Sequence, residues 1–290
     1  MAARSASGSR LARSVVLLVL ALALVVGCGV ALVGYLQDRG LAGPGPGQQR
    51  CVATAGDRSV VVGLEQARLT SIIVGLSVRR GLAPRAASIA MATVYQETGI
   101  RNLDYGDRDS VGLFQQRPSQ GWGTEEQLMD PYYATGKFYD ALVRIDGWET
   151  ADITEVAQQV QRSGYPDAYR DHESDGRVLA SALTGQTARG FSCLERSGTA
   201  GDPDAMAASL RKTFGRIGPE VSERTVTVQA GSTARAWAYA SYAVAHAATH
   251  GVVAVETAGQ VWRTDPQNLP TWTEVAEPTG SARTVTITLR

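Results

Sequence analysis

The chain has 290 residues, and its 28 lysine and arginine residues balance its 28 aspartate and glutamate residues, so the formal net charge is zero. A neutral chain gives no electrostatic support to a nucleic-acid partner, and we expect none. A chain of this length can bury a substantial core and can hold two modest domains.

The N-terminal region contains one long apolar run, from Ser14 to Leu36, without a charged residue. The run exceeds the roughly 20 residues that span a bilayer. Arg4, Arg10 and Arg13 precede it, and no acidic residue does. The positive-inside bias therefore predicts a cytoplasmic tail at 1–13, a single transmembrane helix at 14–36, and extracytoplasmic domains after it, in the cell membrane.

Two alternatives to an uncleaved membrane helix stay open. A cleaved signal peptide would need a shorter run and a cleavage site of the A-x-A type. Val25 to Cys28 resembles a bacterial lipobox, which would make Cys28 a lipidation site. Against lipidation, apolar residues continue beyond Cys28, where a lipoprotein usually changes to a polar tether.

Two cysteines lie beyond the membrane segment. Residues 37–50 are rich in glycine and proline and indicate a short extended linker. Cys51 follows this linker, and Cys193 lies just after the last predicted helix of the next region. In an extracytoplasmic setting we expect the two to form a disulfide, with two free buried thiols as the alternative.

A helix is predicted to begin at Pro84, where a missing N–H costs nothing, and to end at Gly99. Thr93 and Glu97 lie one turn apart on its core-facing stripe. A carboxylate there is partly desolvated, which raises its pKa and suits a general acid near neutral pH. Alternatively, Glu97 rotates outward at a frayed helix end and pairs with Arg101.

An acidic loop follows this helix and contains Asp104, Asp107 and Asp109. The spacing does not fit an EF-hand calcium loop, and Arg108 lies among the acids, so we expect no metal. Asx-turns and an Asp–Arg pair are the expected role of these side chains. A second catalytic carboxylate in this loop stays open, because sequence does not fix its distance from Glu97.

The order of these residues resembles a known family. The pattern E-T-G-I-x-N from Glu97, followed by G-L-F-Q ending at Gln115, resembles the E-S-x-x-N and G-L-M-Q motifs of lytic transglycosylases and goose-type lysozymes. Residues 106–124, GDRDSVGLFQQRPSQGWGT, are similar to a motif of actinobacterial, membrane-anchored lysozyme-like proteins. Over roughly Leu64 to Gly185 the resemblance implies a lysozyme-like fold and cleavage of peptidoglycan glycan strands, with Glu97 as general acid and base and no cofactor.

Several residues are predicted to bind the glycan. The resemblance places Gln115 in the cleft, and Gln116 adds a second amide. Trp122 beside these amides offers an aromatic face to a sugar ring, although it could instead fill the core. Asp109 and Tyr165 complete the predicted substrate-binding set.

The sequence departs from the family at one motif. Lytic transglycosylases carry A-Y-N-A-G on a later helix, and the nearest stretch here is Ala157–Tyr169. Gln161 and Arg162 stand where tyrosine and asparagine are expected, with Tyr165 and Tyr169 as the tyrosines available instead. The departure favours an alternative function, a non-catalytic peptidoglycan-binding or scaffolding protein that keeps the fold and the groove.

The predicted fold class is mainly α. A lysozyme-like helical domain, with a short hairpin beside the acid, occupies 51–195 after the one membrane helix. A second linker at 196–204 leads to a small α+β domain at 205–290, where RTVTVQ alternates like a strand. His246 and His250 are spaced as metal ligands on a helix, but no third ligand is evident, so we expect no metal. Helices of the first domain are predicted to begin at Leu64, Pro84, Thr124, Asp130–Pro131, Asp152 and Pro166.

Overall fold

The computed structural model describes Gly29, residues 47–162 and residues 166–290. Within these ranges, no helix has both the length and the apolar character needed to cross a bilayer. The predicted tail at 1–13, the membrane helix at 14–36 apart from Gly29, and linker residues 37–46 lie outside the described residues. Cys28 lies outside them too, so the membrane helix and lipidation stay predictions.

Helices and strands alternate in groups along the described chain. The first half contains β1 (Arg50–Ala55), β2 (Arg58–Val62), α1 (Leu64–Arg79), α2 (Pro84–Thr98), a 3-10 helix (Pro118–Gln120), α3 (Glu125–Leu128), α4 (Pro131–Leu142) and α5 (Ile153–Gln161). A second 3-10 helix (Pro166–His172), α6 (Glu173–Leu183), β3 (Phe191–Leu194), α7 (Pro203–Phe214), β4 (Glu220–Val221) and β5 (Thr225–Gln229) follow. The chain then continues through α8 (Thr233–Ala245), α9 (Ala247–His250), β6 (Val252–Thr257), β7 (Gln260–Arg263), β8 (Thr273–Glu274) and β9 (Thr284–Leu289).

Local signals in the sequence place the helix ends correctly. Pro84 occupies the first turn of α2, and Gly99 ends the helix in the left-handed conformation with φ 61°. Thr124, where a helix is predicted to begin, forms a capping box with Gln127 at the start of α3. The carboxylate of Asp152 accepts hydrogen bonds from the first backbone N–H groups of α5. The helix predicted from Pro166 divides instead into a 3-10 helix and α6.

The predicted fold class, mainly α, is wrong. The structure contains two antiparallel sheets, one with the order β2-β1-β3 and one with the order β4-β5-β9-β6-β7-β8. The first sheet lies within the region predicted to be helical. Gly56 and Asp57 form a two-residue turn between β1 and β2, with Gly56 at φ 62°, a conformation that suits a tight hairpin. The protein is therefore a mixed fold of helices and antiparallel sheets.

The predicted disulfide between Cys51 and Cys193 is confirmed. The two residues lie directly opposite each other on the antiparallel strands β1 and β3, and both are buried. They are separated by 142 residues in sequence, so the bond closes a loop that includes α1 through α6.

The two regions on either side of residues 196–204 share one hydrophobic core, and residues 44–290 form one compact unit. Helix α8 packs on β6 and β9 on one side and on α1 and α6 on the other. Ser241 of α8 donates a hydrogen bond to the carbonyl oxygen of Ala182 at 3.3 Å. Beyond the end of α8, a ring nitrogen of His246 lies 3.1 Å from the hydroxyl of Ser71 in α1. The sheet of the second region therefore supports, through α8, the helices α1 and α6 that pack on α2.

Candidate active site

Glu97 lies in the last turn of α2, a helix that packs closely against α6 and α5. Thr93, one turn earlier, is fully buried, and Glu97 is half-buried, as the predicted stripe requires. Arg101 does not pair with Glu97; its Nε atom donates to the carbonyl oxygen of Thr98 at 3.0 Å. The carboxylate therefore faces inward at the helix end.

Two side chains from distant parts of the chain hold the carboxylate of Glu97. Its Oε1 atom accepts a hydrogen bond from the hydroxyl of Tyr169 at 2.6 Å and another from Nε2 of Gln161 at 3.2 Å. The same Nε2 atom donates to the carbonyl oxygen of Phe114 at 2.7 Å. Gln161 thus links the acid to the segment containing Gln115.

Burial raises the pKa of Glu97 above its ordinary value. The hydrogen bonds from Tyr169 and Gln161 act in the opposite direction, because they stabilise the ionised carboxylate, but they do not outweigh the desolvation. The carboxyl group consequently keeps its proton to a higher pH than an exposed glutamate does.

A very short hairpin beside Glu97 presents the predicted glycan-binding amides. Val111 and Gln116 pair in antiparallel fashion, and Gly112 at φ 77° makes the turn between them possible. A β-carbon at Gly112 would lie 2.4 Å from the backbone oxygen of Leu128, so no larger residue fits without displacing the backbone. The hydroxyl of Thr98 donates to the carbonyl oxygen of Leu113 at 3.0 Å and fixes the hairpin to α2.

Both predicted glutamines line a cleft together with Glu97. Nε2 of Gln115 donates to the carbonyl oxygens of Tyr105 and Gly112 at 3.2 and 3.3 Å. Gln116 is 2 % exposed, and its Nε2 atom donates to the carbonyl oxygen of Ala134 at 3.3 Å. Its Oε1 atom accepts no hydrogen bond from the described residues. A buried acceptor of this kind is available to a ligand or a water molecule.

The cleft has a volume of about 440 Å³ and is mostly polar. Trp122 is half-buried and lines it, so this side chain packs on the core and also reaches the cleft. Asp107 is the second carboxylate among the described residues that line the cleft, and its side chain is 90 % exposed at the rim. Cationic, amide and hydroxyl-bearing residues complete the lining, namely Arg108, Arg117, Arg162, Gln120, Gln161 and Ser110.

Asp109, predicted to bind substrate, instead fastens the loop. Its carboxylate accepts hydrogen bonds from the backbone N–H of Ser119 and from Nε of Arg117, both at 2.7 Å. Hydrogen bonds from Ser119, and then from Arg117, hold the pKa of Asp109 well below its usual range. Asp109 is not among the residues that line the cleft with Glu97. The loop thus forms two Asp–Arg pairs, Asp109 with Arg117 at 2.7 Å and the exposed Asp107 with Arg108 at 3.8 Å.

The sequence offered Tyr165 and Tyr169 as alternative candidates for the tyrosine that meets Glu97, and it did not predict the contact with Gln161. Tyr165 lies outside the described residues, and among the described residues Tyr169 contacts the carboxylate. Gln161 occupies a position where the sequence differs from the family motif, yet its side chain contacts Glu97. No local signal marks either contact, because each depends on how α5 and the second 3-10 helix fold back onto α2.

The acidic loop with Asp104, Asp107 and Asp109 and the pair His246 and His250 were considered as metal sites on their spacing. In the described part of the chain, no three His, Cys, Asp or Glu residues are grouped so as to hold a metal ion. His246 is buried next to Ser71, and its burial lowers its pKa well below the ordinary value. Its ring stacks on that of His250 at 5.5 Å, which is an ordinary packing contact.

No model of a known protein family matches this chain, and no curated protein matches it either. The resemblance to lytic transglycosylases and goose-type lysozymes therefore rests on the motif residues alone, and what it implies about activity is a proposal.

Proposed function

We propose that this protein binds peptidoglycan glycan strands in the cleft beside Glu97 and cleaves them, as a lytic transglycosylase or a muramidase. The observation that carries the proposal is the environment of the Glu97 carboxyl group. The carboxyl group has a raised pKa, is held by Tyr169 and Gln161, and opens onto a cleft lined by amides and Trp122. A proton donor beside an aromatic face and amide groups suits the cleavage of an N-acetylated sugar chain.

The chemistry needs one carboxyl group that changes its protonation state. Glu97 gives its proton to the oxygen of the bond between N-acetylmuramic acid and N-acetylglucosamine, and the bond from that oxygen to the anomeric carbon breaks. The ionised carboxylate then takes a proton from the muramoyl 6-hydroxyl or from water, whose oxygen bonds to the anomeric carbon. The first route gives a 1,6-anhydro product and the second a hydrolysed one. General acid–base catalysis of this type contributes about 10²–10⁴-fold.

Tyr169 fits a positioning role in this scheme. Its hydroxyl donates to Oε1 of Glu97, so it orients the carboxyl group. When Glu97 ionises, the same hydrogen bond becomes charge-assisted and strengthens. Tyr169 is fully buried, which holds its ring in one position.

The proposed setting is extracytoplasmic, with the chain anchored in the cell membrane by residues 14–36. The disulfide between Cys51 and Cys193 supports this location, because such bonds persist in oxidising environments. Peptidoglycan strands would then lie on the same side of the membrane as the cleft.

The second candidate function is binding without cleavage, in a cell-wall scaffolding protein. Gln161 favours it, because an amide occupies the position where the family has a tyrosine and donates directly to Glu97. Asp107, the other carboxylate of the cleft among the described residues, projects into solvent at the rim.

The decisive experiment compares two carboxylate variants with the parent protein. Full-length protein in a non-ionic detergent is incubated with purified peptidoglycan, and released muropeptides are identified by mass. We expect Glu97→Gln to bind strands like the parent but to release no muropeptides, since an amide does not lose and regain the proton. Asp107→Asn is the matched control and should retain release.

Two outcomes would change the assignment. Binding without release by the parent itself would favour the scaffolding function. Equal release by the parent and by Glu97→Gln would show that another group carries out the chemistry.

A further inference from the structure

A second pocket adjoins the cleft that contains Glu97. It has a volume of about 640 Å³ and lies between α4, α5 and the loop around Trp122. The two cavities share Gln120, Trp122, Gln161 and Arg162 as lining residues. A chain of sugars in the cleft would therefore have its substituents next to this pocket.

The second pocket is positively charged. Arg144 and Arg162 line it, and no acidic residue among the described ones does. Neither arginine forms an ion pair with any described residue, and both are exposed. By contrast, Arg117 in the neighbouring cleft is already paired with Asp109 at 2.7 Å.

Arg162 has a fixed position at the edge between the two cavities. It ends α5 in the left-handed conformation with φ 51°, and its backbone N–H donates to the carbonyl oxygen of Gln158 at 2.7 Å. The next side chain toward the N-terminus is Gln161, which contacts Glu97. The backbone of Arg162 is thus held one residue away from a direct partner of the proposed acid, and its exposed side chain lines both cavities.

We propose that Arg144 and Arg162 recognise free carboxylates on the peptide stems of the glycan, so that the protein prefers strands with carboxylate-bearing stems. This inference rests on the proposed function and adds the substrate class to it. Muramic acid carries its peptide on a lactyl group that projects from the sugar backbone, so its carboxylates can lie in a side pocket while the sugars occupy the cleft. A planar guanidinium group matches a carboxylate with two parallel hydrogen bonds.

The expected preference is moderate, because both arginines are solvent-exposed. An exposed ion pair contributes about 0.2–1 kcal/mol, which corresponds to roughly 1.4- to 5-fold in affinity. Two such pairs give a preference of about 2- to 25-fold for free over amidated stems. The preference should fall as the salt concentration rises, because the Debye length shrinks to about 3 Å at 1 M.

The test measures binding of two matched probes to the full-length protein in a non-ionic detergent. Both are tetrasaccharides of alternating N-acetylglucosamine and N-acetylmuramic acid with alanyl-glutamate stems; one has free stem carboxyls, and the other has every stem carboxyl amidated. We expect the parent to bind the free form more tightly by the factor above. The double variant Arg144→Gln, Arg162→Gln should bring the ratio of the two affinities close to one.

A charge-matched control separates local recognition from net charge. The double variant Arg216→Gln, Arg283→Gln also removes two exposed arginines, both outside the two cavities, and should keep the parental ratio. Equal binding of both probes by the parent overturns the inference and leaves the proposed function standing. A preference that survives in the Arg144→Gln, Arg162→Gln variant also overturns it. No binding of either probe by the parent overturns both this inference and the proposed function.

Discussion

The ion pair between Arg290 and Glu195 gives the most quantitative prediction. The side chain of Glu195 is fully buried, and its Oε1 atom lies 2.8 Å from a guanidinium nitrogen of Arg290, which is 30 % exposed. The other carboxylate oxygen accepts hydrogen bonds from the backbone N–H and the hydroxyl of Ser197 at 2.9 and 2.7 Å. Replacing Arg290 by alanine leaves a buried carboxylate without its cation.

Removing one partner of a buried ion pair costs about 3–5 kcal/mol. A loss at or just below the bottom of this range applies here, because water can reach the exposed edge of the site and Ser197 still satisfies one oxygen of Glu195. We therefore expect Arg290→Ala to lower the free energy of unfolding by about 2–3 kcal/mol at pH 7. For a domain of this size the melting temperature should fall by roughly 4–12 °C.

The loss should depend on pH in a defined direction. Burial raises the pKa of Glu195, but the hydrogen bonds from Ser197 and Arg290 outweigh it, so the pKa in the folded protein lies below its ordinary value. Such a group stabilises the fold above its unfolded pKa, about 4.3, and the contribution is lost as the pH falls through the folded pKa. Urea denaturation at pH 7 and at successively lower pH should show the parent and Arg290→Ala converging.

The control for this prediction is Arg283→Ala, which removes the same charge from an exposed side chain and should change stability by less than about 0.5 kcal/mol. A loss of similar size for Arg283→Ala, or a loss for Arg290→Ala that does not vary with pH, would refute the ion-pair reasoning.

Three further predictions concern stability. Replacing Cys51 and Cys193 by serine should lower the free energy of unfolding by about 3–5 kcal/mol, because their disulfide closes a loop of 142 residues. Calorimetry of the parent with and without reductant should show the same loss. Glu97→Gln should match the stability of the parent at pH 4 and exceed it at pH 7, because the ionised carboxylate of the parent is disfavoured in the folded state. The difference should be about 1.4 kcal/mol for each pH unit by which the folded pKa exceeds the unfolded one, and urea midpoints that stay parallel with pH would contradict this. Gly185→Ala should lower the free energy of unfolding by more than about 3 kcal/mol, because φ is +77° and the new β-carbon would lie 1.9 Å from a backbone oxygen of α8. The control Gly56→Ala, at φ +62° with open space, should lower it by only about 1–2 kcal/mol. Equal melting temperatures for the two variants would show that the close approach is unimportant.

The errors in the predicted fold have specific causes. The stretch CVATAGDRSVVV contains β-branched residues on both sides of a Gly-Asp turn, which is a readable hairpin signal, but the predicted first domain has its short hairpin only beside the acid and no strands here. The four-residue strand Phe191–Leu194 is too short to stand out by pattern, and it forms because β1 lies beside it. The small sheet thus depends partly on a pairing between residues far apart in sequence.

The sequence by itself determined the local features of the structure, such as helix ends and the buried face of a helix. Pro84 and Gly99 fix the ends of α2, and the spacing of Thr93 and Glu97 places both on its core-facing stripe, because these effects act within one or two helical turns. The disulfide could also be predicted, from cysteine positions and the inferred compartment.

Only the tertiary structure decided the environment of Glu97. Gln161 and Tyr169 are 64 and 72 residues away from it in sequence, and they reach its carboxylate because α5 and the second 3-10 helix pack on α2. The raised pKa follows from that packing, since desolvation depends on every group that excludes water from the site. A periodic pattern states which face of a helix is buried, but the side chains that meet that face are selected by the packing of the whole core.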